Sequence, residues 1–382
     1  MLVLEALRAK FGDSLLLHFG TPKQPRIAVI DGGPPGVFND ALKPRLDELR
    51  GQRKLQATEP LDIDLIMVSH IDADHIAGLL QMVAKMKELR EAKKPLPWKI
   101  RRFWHNSFDD ILDNDDVAVA SAASVMSPAS LGGLVQREGS DILASVGQGR
   151  DLRKLLDALN LAGNPPFGGL VSAAEEPIPL GNLELTVVAP SRKNLVALQK
   201  DWDKKIKPIL KKEKSQAARA EIAAYVDKSV YNLSSIVVLV EAHGRRILLT
   251  GDGRGDHTLA GLEEAELLDE DGGIEVDVLK LPHHGSIRNI ESDYLEKIVA
   301  RHYVISADGK FDNPDIATLE AISAARPDDD FTIHLTYPTD EFNVPDVGEA
   351  VAQFFADEKG RGRKYKVRTR KSGELSFKLV LA

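Results

Sequence analysis

Three apolar runs of strand length end alike in this chain. "IDLIMV" (63–68) runs into "SHIDADH", "RILLT" (246–250) runs into Gly251-Asp252, and "VDVLKLP" (276–282) runs into His283-His284. A short continuous apolar run reads as a buried strand, and polar residues gathered where strands stop are where sites are built. The sequence therefore predicts buried strands with three strand-end clusters of ligand-type residues, which together point to a metal site.

The segments between these runs fit that plan. "DSLLLHF" and "RIAVIDGG" predict paired strands, "ALKPRLDELR" a helix, and Ile76 onward has helical spacing, which puts the first cluster at a strand-to-helix junction. "KIRRFWH" and "LELTVVAP" predict further strands, and "SSIVVLVEAHGRRILLTGD" predicts two strands joined by a tight turn at His243-Gly244. Later come "VDVLKLP", a helix at Asp293 to Ala300, the strand "YVISADG", a helix at Pro314 to Ala325 and the strand "FTIHLTYPT". Strand and helix alternate at both ends with hairpins between them, so two packed sheets with helices outside are expected.

A chain of 382 residues, 43% hydrophobic, can bury a large core. We read it as a single domain over 1–382, with probable insertions at about 111–176, Ala/Ser-rich and then helical, and at 194–227, charged and helix-forming. The N-terminus lacks a signal-peptide pattern, and no run reaches the roughly 18 apolar residues of a membrane span, so a cytoplasmic location without membrane contact is expected. With no cysteine in the chain, disulfides and thiolate ligands are excluded, and a metal site must use His, Asp, Glu and oxygen donors. The net charge of -8 argues against indiscriminate nucleic-acid binding. Two basic runs, 204–214 and 359–371, could still supply phosphate contacts to a nucleic acid, although such runs are more often solvated helix faces or edge strands. A protein partner is left open.

In an extended segment, alternate side chains share a face, so His70, Asp72 and Asp74 point together and His75 turns in as the helix begins. That arrangement suits two cations, the first served by His70 and Asp72 and the second by Asp74 and His75. A lone Asp at such a place is commonly a helix cap, but four ligand-type residues within six positions are not explained that way. Asp252 and the pair His283/His284 end two other strands in the same style.

Taken together, "SHIDADH", "DGG", "NLSSIVVLVE" with "RRILLTGD", and "LKLPHHGS" resemble the metallo-β-lactamase superfamily, in particular the branch similar to the hydrolase domain of the DNA-uptake protein ComEC. There the second histidine of the usual HxHxDH motif is commonly Asp, as Asp72 is here. The resemblance implies an α/β fold, a four-layer αββα sandwich, with two divalent metal ions, Zn or Mn, along one edge. It matches His70 and Asp72 to the first metal, Asp74 and His75 to the second, Asp252 to the bridging carboxylate, and His283 or His284 to the final histidine. We lean to His283, the first after the strand, and Asp31 matches a structural aspartate that orients the metal loop. A further histidine of the usual pattern is absent, and Asn232, Ser234 or Ser235 stands near its place, with His105 as a possible substitute.

The implied activity is that of a stand-alone metal-dependent hydrolase, foremost a phosphodiesterase or nuclease using a metal-bound hydroxide oriented by Asp74 and Asp252. The alternatives are a small-molecule ester, lactone or thioester hydrolase and, further off, a non-catalytic scaffold or regulatory subunit. Lys280, Ser286, Asn289 and Asn232 are the expected substrate contacts.

Overall fold

The computed structural model describes residues 1–106, 148–174, 176–205, 234–290 and 293–382. Within them lie two large sheets. The first has the order β16-β1-β2-β3-β5-β7: β1 is Val3–Leu7, β2 Leu15–Thr21, β3 Gln24–Ile30, β5 Leu65–Met67, β7 Phe103–Trp104 and β16 Ser376–Val380. The second runs β15-β14-β13-β12-β11-β10-β9-β8, with β8 Ile178–Leu180, β9 Leu183–Ala189, β10 Val237–Ala242, β11 Arg245–Leu249, β12 Ile274–Lys280, β13 Ile298–Ile305, β14 Thr332–Leu335 and β15 Lys366–Thr369. In both, antiparallel hairpins give way to parallel strands: β3, β5 and β7 in the first sheet, and β11 through β15 in the second.

Alternation along the strands builds the layers. Leu15 and Leu17 face the second sheet while Leu16 faces out, and on β11 Ile247 and Leu249 face the first sheet while Leu248 faces out. The inner core joins residues such as Ile30 and Met67 to Val238 and Val278. Outside the first sheet pack helices α1 (Lys43–Gln52), α2 (Ala73–Glu91) and α3 (148–159), through Leu46, Leu79 and Leu152. Past the helix α4 (Arg192–Lys205), the second sheet is covered by α5 (Gly255–Glu264), α7 (Ile316–Ala325) and α8 (Pro345–Gly360), through Leu262, Leu319 and Val351, with α6 (Tyr294–Lys297) between them. Sheets buried on both faces explain why the strands read as continuous apolar runs rather than alternating ones. The fold is thus an α/β sandwich of helix, sheet, sheet and helix layers.

The structure departs from expectation in places. "IDLIMV" is not one strand: β4 (Leu61–Ile63) pairs with β6 (Trp98–Ile100) in a small separate sheet, and the chain shifts at Asp64, whose carboxylate holds Arg26, before β5 enters the main sheet. The helix expected at Asp293 to Ala300 is the single turn of α6. Ile298 and Ala300 are buried in β13, in parallel register with Ile274 and Val276, so sheet pairing wins over the helical pattern. The hairpin at His243-Gly244 forms with both residues at positive φ, 52° and 70°, as a tight turn of matching twist requires. Of the two insertions, residues 111–147 and 206–227 lie outside the described residues. No helix among the described residues is long and apolar enough to cross a membrane.

Candidate metal centre

The carboxyl ends of β5, β11 and β12 meet where the two sheets come together. Ser69, just past β5, accepts a hydrogen bond from Ile236 N–H of the second sheet at 2.8 Å, and Gly251 O accepts one from His283 N–H at 3.1 Å. Gly251 has φ 50°, and a Cβ there would stand 2.7 Å from Ser69 Cβ and Ser235 Oγ. This close approach of backbones brings His70 through His75 against Asp252, His283 and His284.

Asp31 holds the first loop. It has φ 59°, and its carboxylate accepts Ser69 N–H at 2.7 Å, Ser69 O–H at 2.7 Å and His75 Nδ1–H at 2.9 Å. Gly32 N–H donates to His75 O, and Gly78 N–H to Gly33 O, so the "DGG" turn is tied to the first turns of α2. The expected extended arrangement holds only through Asp72: α2 begins at Ala73, and Asp74 reaches the cluster from its first turn.

Four donor atoms gather around one point. His75 Nε2 lies 3.3 Å from His284 Nε2 and 3.2 Å from Asp252 Oδ1, and His284 Nε2 lies 3.1 Å from Asp74 Oδ2 and 3.7 Å from Asp252 Oδ1. His75 Nε2 and Asp74 Oδ2 are 3.8 Å apart. Ligands at about 2.0–2.2 Å from a tetrahedral ion lie about 3.3–3.6 Å from one another, and these spacings are close to that; donor atoms of His75, His284, Asp252 and Asp13 all lie within 4.8 Å of one another, as do those of His70, Asp74 and His75. Asp252 Oδ1 is buried and faces His75 Nε2 and His284 Nε2. Each histidine is also oriented from behind: Nδ1–H of His75 donates to Asp31, and Nδ1–H of His284 to Ser306 O at 3.0 Å, which leaves Nε2 as the donor toward the cluster.

The other oxygen of Asp252 faces a second set. Oδ2 is 3.6 Å from His70 Nε2 and 3.7 Å from His283 Nε2, and His70 Nε2 is 3.6 Å from Asp72 Oδ2. His283 donates its Nδ1–H to Asn289 Oδ1 at 2.8 Å, and Asn289 Nδ2 donates to Asp252 O at 2.9 Å. Residues 283 and 284 both adopt left-handed backbone, φ 48° and 56°, and neighbouring side chains thereby reach opposite oxygens of one carboxylate. The sequence left the final histidine open between His283 and His284, with a lean to His283; in the structure His284 stands beside Asp74 and His75, and His283 faces the side of Asp252 that His70 faces.

The field at the cluster is strongly negative. Burial opposes a charge on His75, but Asp252, Asp74 and Asp31 overcome it and hold the imidazole well above its ordinary pKa. His284 is raised in the same way to about 9, by Asp252 and Asp13 against burial. Burial would raise the acids, yet His75 and His284 bring Asp74 down to about 2, and the surrounding histidines hold Asp252 well below the carboxylate range. Asp72 is raised by withdrawal from water and by the neighbouring carboxylates. Carboxylates that pull protons onto buried imidazoles equally favour a divalent cation in their place.

Behind the cluster lies an ion pair that sequence reasoning misassigned in one half and missed in the other. Lys280 and Asp13 are each 1% exposed and in direct contact, and Asp13 Oδ1 is 3.4 Å from His284 Nδ1. Lys280 is therefore spent inside the protein rather than on a substrate. Of the other expected substrate contacts, Ser286 is buried beside Asp315, and both ends of the Asn289 amide are engaged by His283 and Asp252. Ser235 Oγ accepts Asp252 N–H at 3.2 Å, which positions the carboxylate. Asn232 lies outside the described residues. His105 stands outside both donor sets, its N–H held by Asn164 and its ring against Phe103. In the basic run 359–371, Arg370 is buried against Glu341 and Arg363 pairs with Asp329, while Lys366 and Arg368 are exposed on the edge strand β15. Of the run 204–214, residues from 206 on lie outside the described residues.

Comparison with known proteins agrees with this picture. Residues 26–147 match the metallo-beta-lactamase superfamily, and the matched stretch includes Asp31 and His70 to His75. No curated protein matches the sequence. Among solved structures, a mutant of CmlA beta-hydroxylase is similar at 11% identity and a TM-score of 0.38, over 99% of this chain and 54% of that one. The chain thus spans about half the length of that protein. Zinc-bound PqqB from Methylobacterium extorquens is similar at 11% identity and a TM-score of 0.37, over 99% of this chain and 100% of that one.

Proposed function

We propose that the protein is a metal-dependent hydrolase of phosphodiesters, working at a dinuclear site held by the two donor sets that share Asp252. The observation that carries this reading is the division of that one carboxylate, Oδ1 toward His75, His284 and Asp74 and Oδ2 toward His70, Asp72 and His283. The domain match to a superfamily of metal-binding proteins and the buried His/Asp cluster support it. The HxDxDH spacing with "HHGS" is what relates the chain to the ComEC-like branch.

Two bound divalent ions would supply an activated water and polarise the bond under attack. The chain's own residues do the rest. Asp31, Ser306 O and Asn289 fix the Nδ1 sides of His75, His284 and His283, and Ser235 fixes Asp252, so the donors are held in place before any ion arrives. With three carboxylates among seven donors the site is harder than an all-imidazole one, and Mn²⁺ competes with Zn²⁺ for it.

The test is metal content by elemental analysis, with cleavage of bis(p-nitrophenyl) phosphate and labelled DNA and RNA under Mn²⁺, Zn²⁺ and Mg²⁺. About two ions per chain and diester cleavage abolished by Asp74→Ala are expected, and a metal-loaded protein that leaves every diester intact overturns the reading. One observation favours a second reading, hydrolysis of a small ester, lactone or thioester. A Cβ on Gly149 of α3 would lie 3.3 Å from Ile71, between His70 and Asp72, so α3 roofs part of the metal loop. Activity on small esters alone would support it.

A further inference from the structure

Phe311 is 63% exposed, the sole aromatic among the large exposed hydrophobic side chains of the described residues. Its backbone is left-handed, φ 59°, as is that of Asp312 at 62°. Bulky residues are poorly suited to that region, which ordinarily takes Gly, Asn or Asp. A ring that is neither buried nor relaxed contributes little to folding, and strain of this kind gathers at ligand-contacting positions.

The ring belongs to a small assembly. Phe11 meets Phe311 edge to face, centroids 5.5 Å apart and planes at 89°. Lys310 Nζ lies 3.5 Å from the Phe11 ring centroid and 4.6 Å from that of Phe311. An exposed aromatic ring, a second ring edge to face with it and a cation thus lie together. The loop is held from beneath: Gly309 N–H donates to Asn313 O, Lys310 N–H to Asp308 Oδ1, and Asn343 N–H to Asp308 O.

Both loops run directly into the metal centre. Phe11 precedes Gly12, which packs so closely on α2 that a Cβ would stand 2.0 Å from Asp74 O, and Asp13 N–H donates to that same oxygen. On the other side, Asn313 Nδ2 donates to His283 O at 3.5 Å, and Asp315 N–H to Gly285 O. The aromatic pair is therefore mounted on two loops that are hydrogen-bonded to the segments carrying Asp74 and His283.

We propose that Phe11, Lys310 and Phe311 form a substrate subsite for a planar aromatic group attached to an anionic ester, as in the base and phosphate of a nucleotide. This rests on the phosphodiesterase reading and names its substrate class. Aromatic faces stack on bases without regard to sequence, and the neighbouring ammonium suits a phosphate. The subsite would grip a nucleotide beside the one attacked, which accounts for nucleotide binding by a chain with few aromatic residues and a net charge of -8.

The experiment is equilibrium binding by fluorescence anisotropy, in Ca²⁺ at low salt, of a labelled single-stranded oligodeoxynucleotide and an abasic strand of equal length. Phe311→Ala and Phe311→Gly should each weaken the base-bearing strand roughly tenfold and leave the abasic strand unchanged, Phe311→Tyr should retain affinity, and Lys310→Gln should weaken both strands. Equal loss on both strands in the Phe311 variants, no change on either, or a wild-type protein that binds neither strand overturns the subsite. Turnover of bis(p-nitrophenyl) phosphate by the wild-type metal-loaded protein reports separately on the phosphodiesterase reading.

Discussion

The Nε2 atoms of His75 and His284, brought together from segments 209 residues apart, face each other at 3.3 Å across the seam between the sheets. Two nitrogens so placed, each with its Nδ1–H already donated to an oxygen, are arranged to share a cation. The division of donors then predicts which ion each substitution removes. His284→Ala should lower metal content from about two ions per chain to about one, His283→Ala should remove the other ion, and Asp252→Ala should remove both. Elemental analysis with Co²⁺ absorption spectra checks this. Loss of the same ion from both histidine variants would refute the division.

Gly78 packs against the "DGG" turn so closely that a Cβ would stand 1.9 Å from Gly32 O. Backbone faces backbone, so no side chain can move aside. Gly78→Ala should destabilise the protein by roughly 3 kcal/mol and, because His75 lies one turn earlier on α2, lower metal affinity as well. Urea unfolding with metal titration measures both effects.

Lys280 and Asp13 neutralise each other in the interior. Lys280→Met leaves the Asp13 charge buried without its ammonium and should cost roughly 3–5 kcal/mol. Adding Asp13→Asn should restore most of that loss. A double variant no more stable than Lys280→Met would show that the pair is not the reason.

His334 of β14 is buried beside His302 and stacks on Phe377; burial first, then His302 and Arg368, depress its pKa to about 3. The folded protein thus holds it neutral, while the unfolded chain takes up a proton near pH 6.5. Its contribution is fully present above pH 6.5 and is lost as pH falls toward 3, which gives about 3 kcal/mol of lost stability by pH 4.5. The pairs of Glu5, whose pKa lies near 2, contribute to acid loss only below the ordinary carboxylate value of 4.5. Unfolding at pH 7.5 and pH 5 should therefore differ less in His334→Gln than in the wild type, and an equal difference in the two would refute the assignment.

Much of the site could be read in the sequence because His70 to His75 are neighbours in one loop and strand ends announce themselves as apolar runs that stop. The assignment of His283 and His284 could not be. It follows from two successive left-handed residues, whereas strand alternation gives no guide in a turn. Asp13 was missed because its partner is 267 positions away, a distance only the packed sheets close. Its sign in the sequence was slight: an acid in "GDS" between two apolar runs. Lys280, expected as a substrate contact, is instead buried against Asp13, because β12 is an interior strand of the second sheet.

The seven donors come from both sides of the inner core: His70, Asp72, Asp74 and His75 follow a strand of the first sheet, and Asp252, His283 and His284 follow strands of the second. Neither sheet alone carries more than part of a coordination shell. An ion seated there would work as a rivet through the seam of the sandwich: it would tie donors already oriented by both sheets into one coordination shell, so that loading would add to the docking of the two sheets.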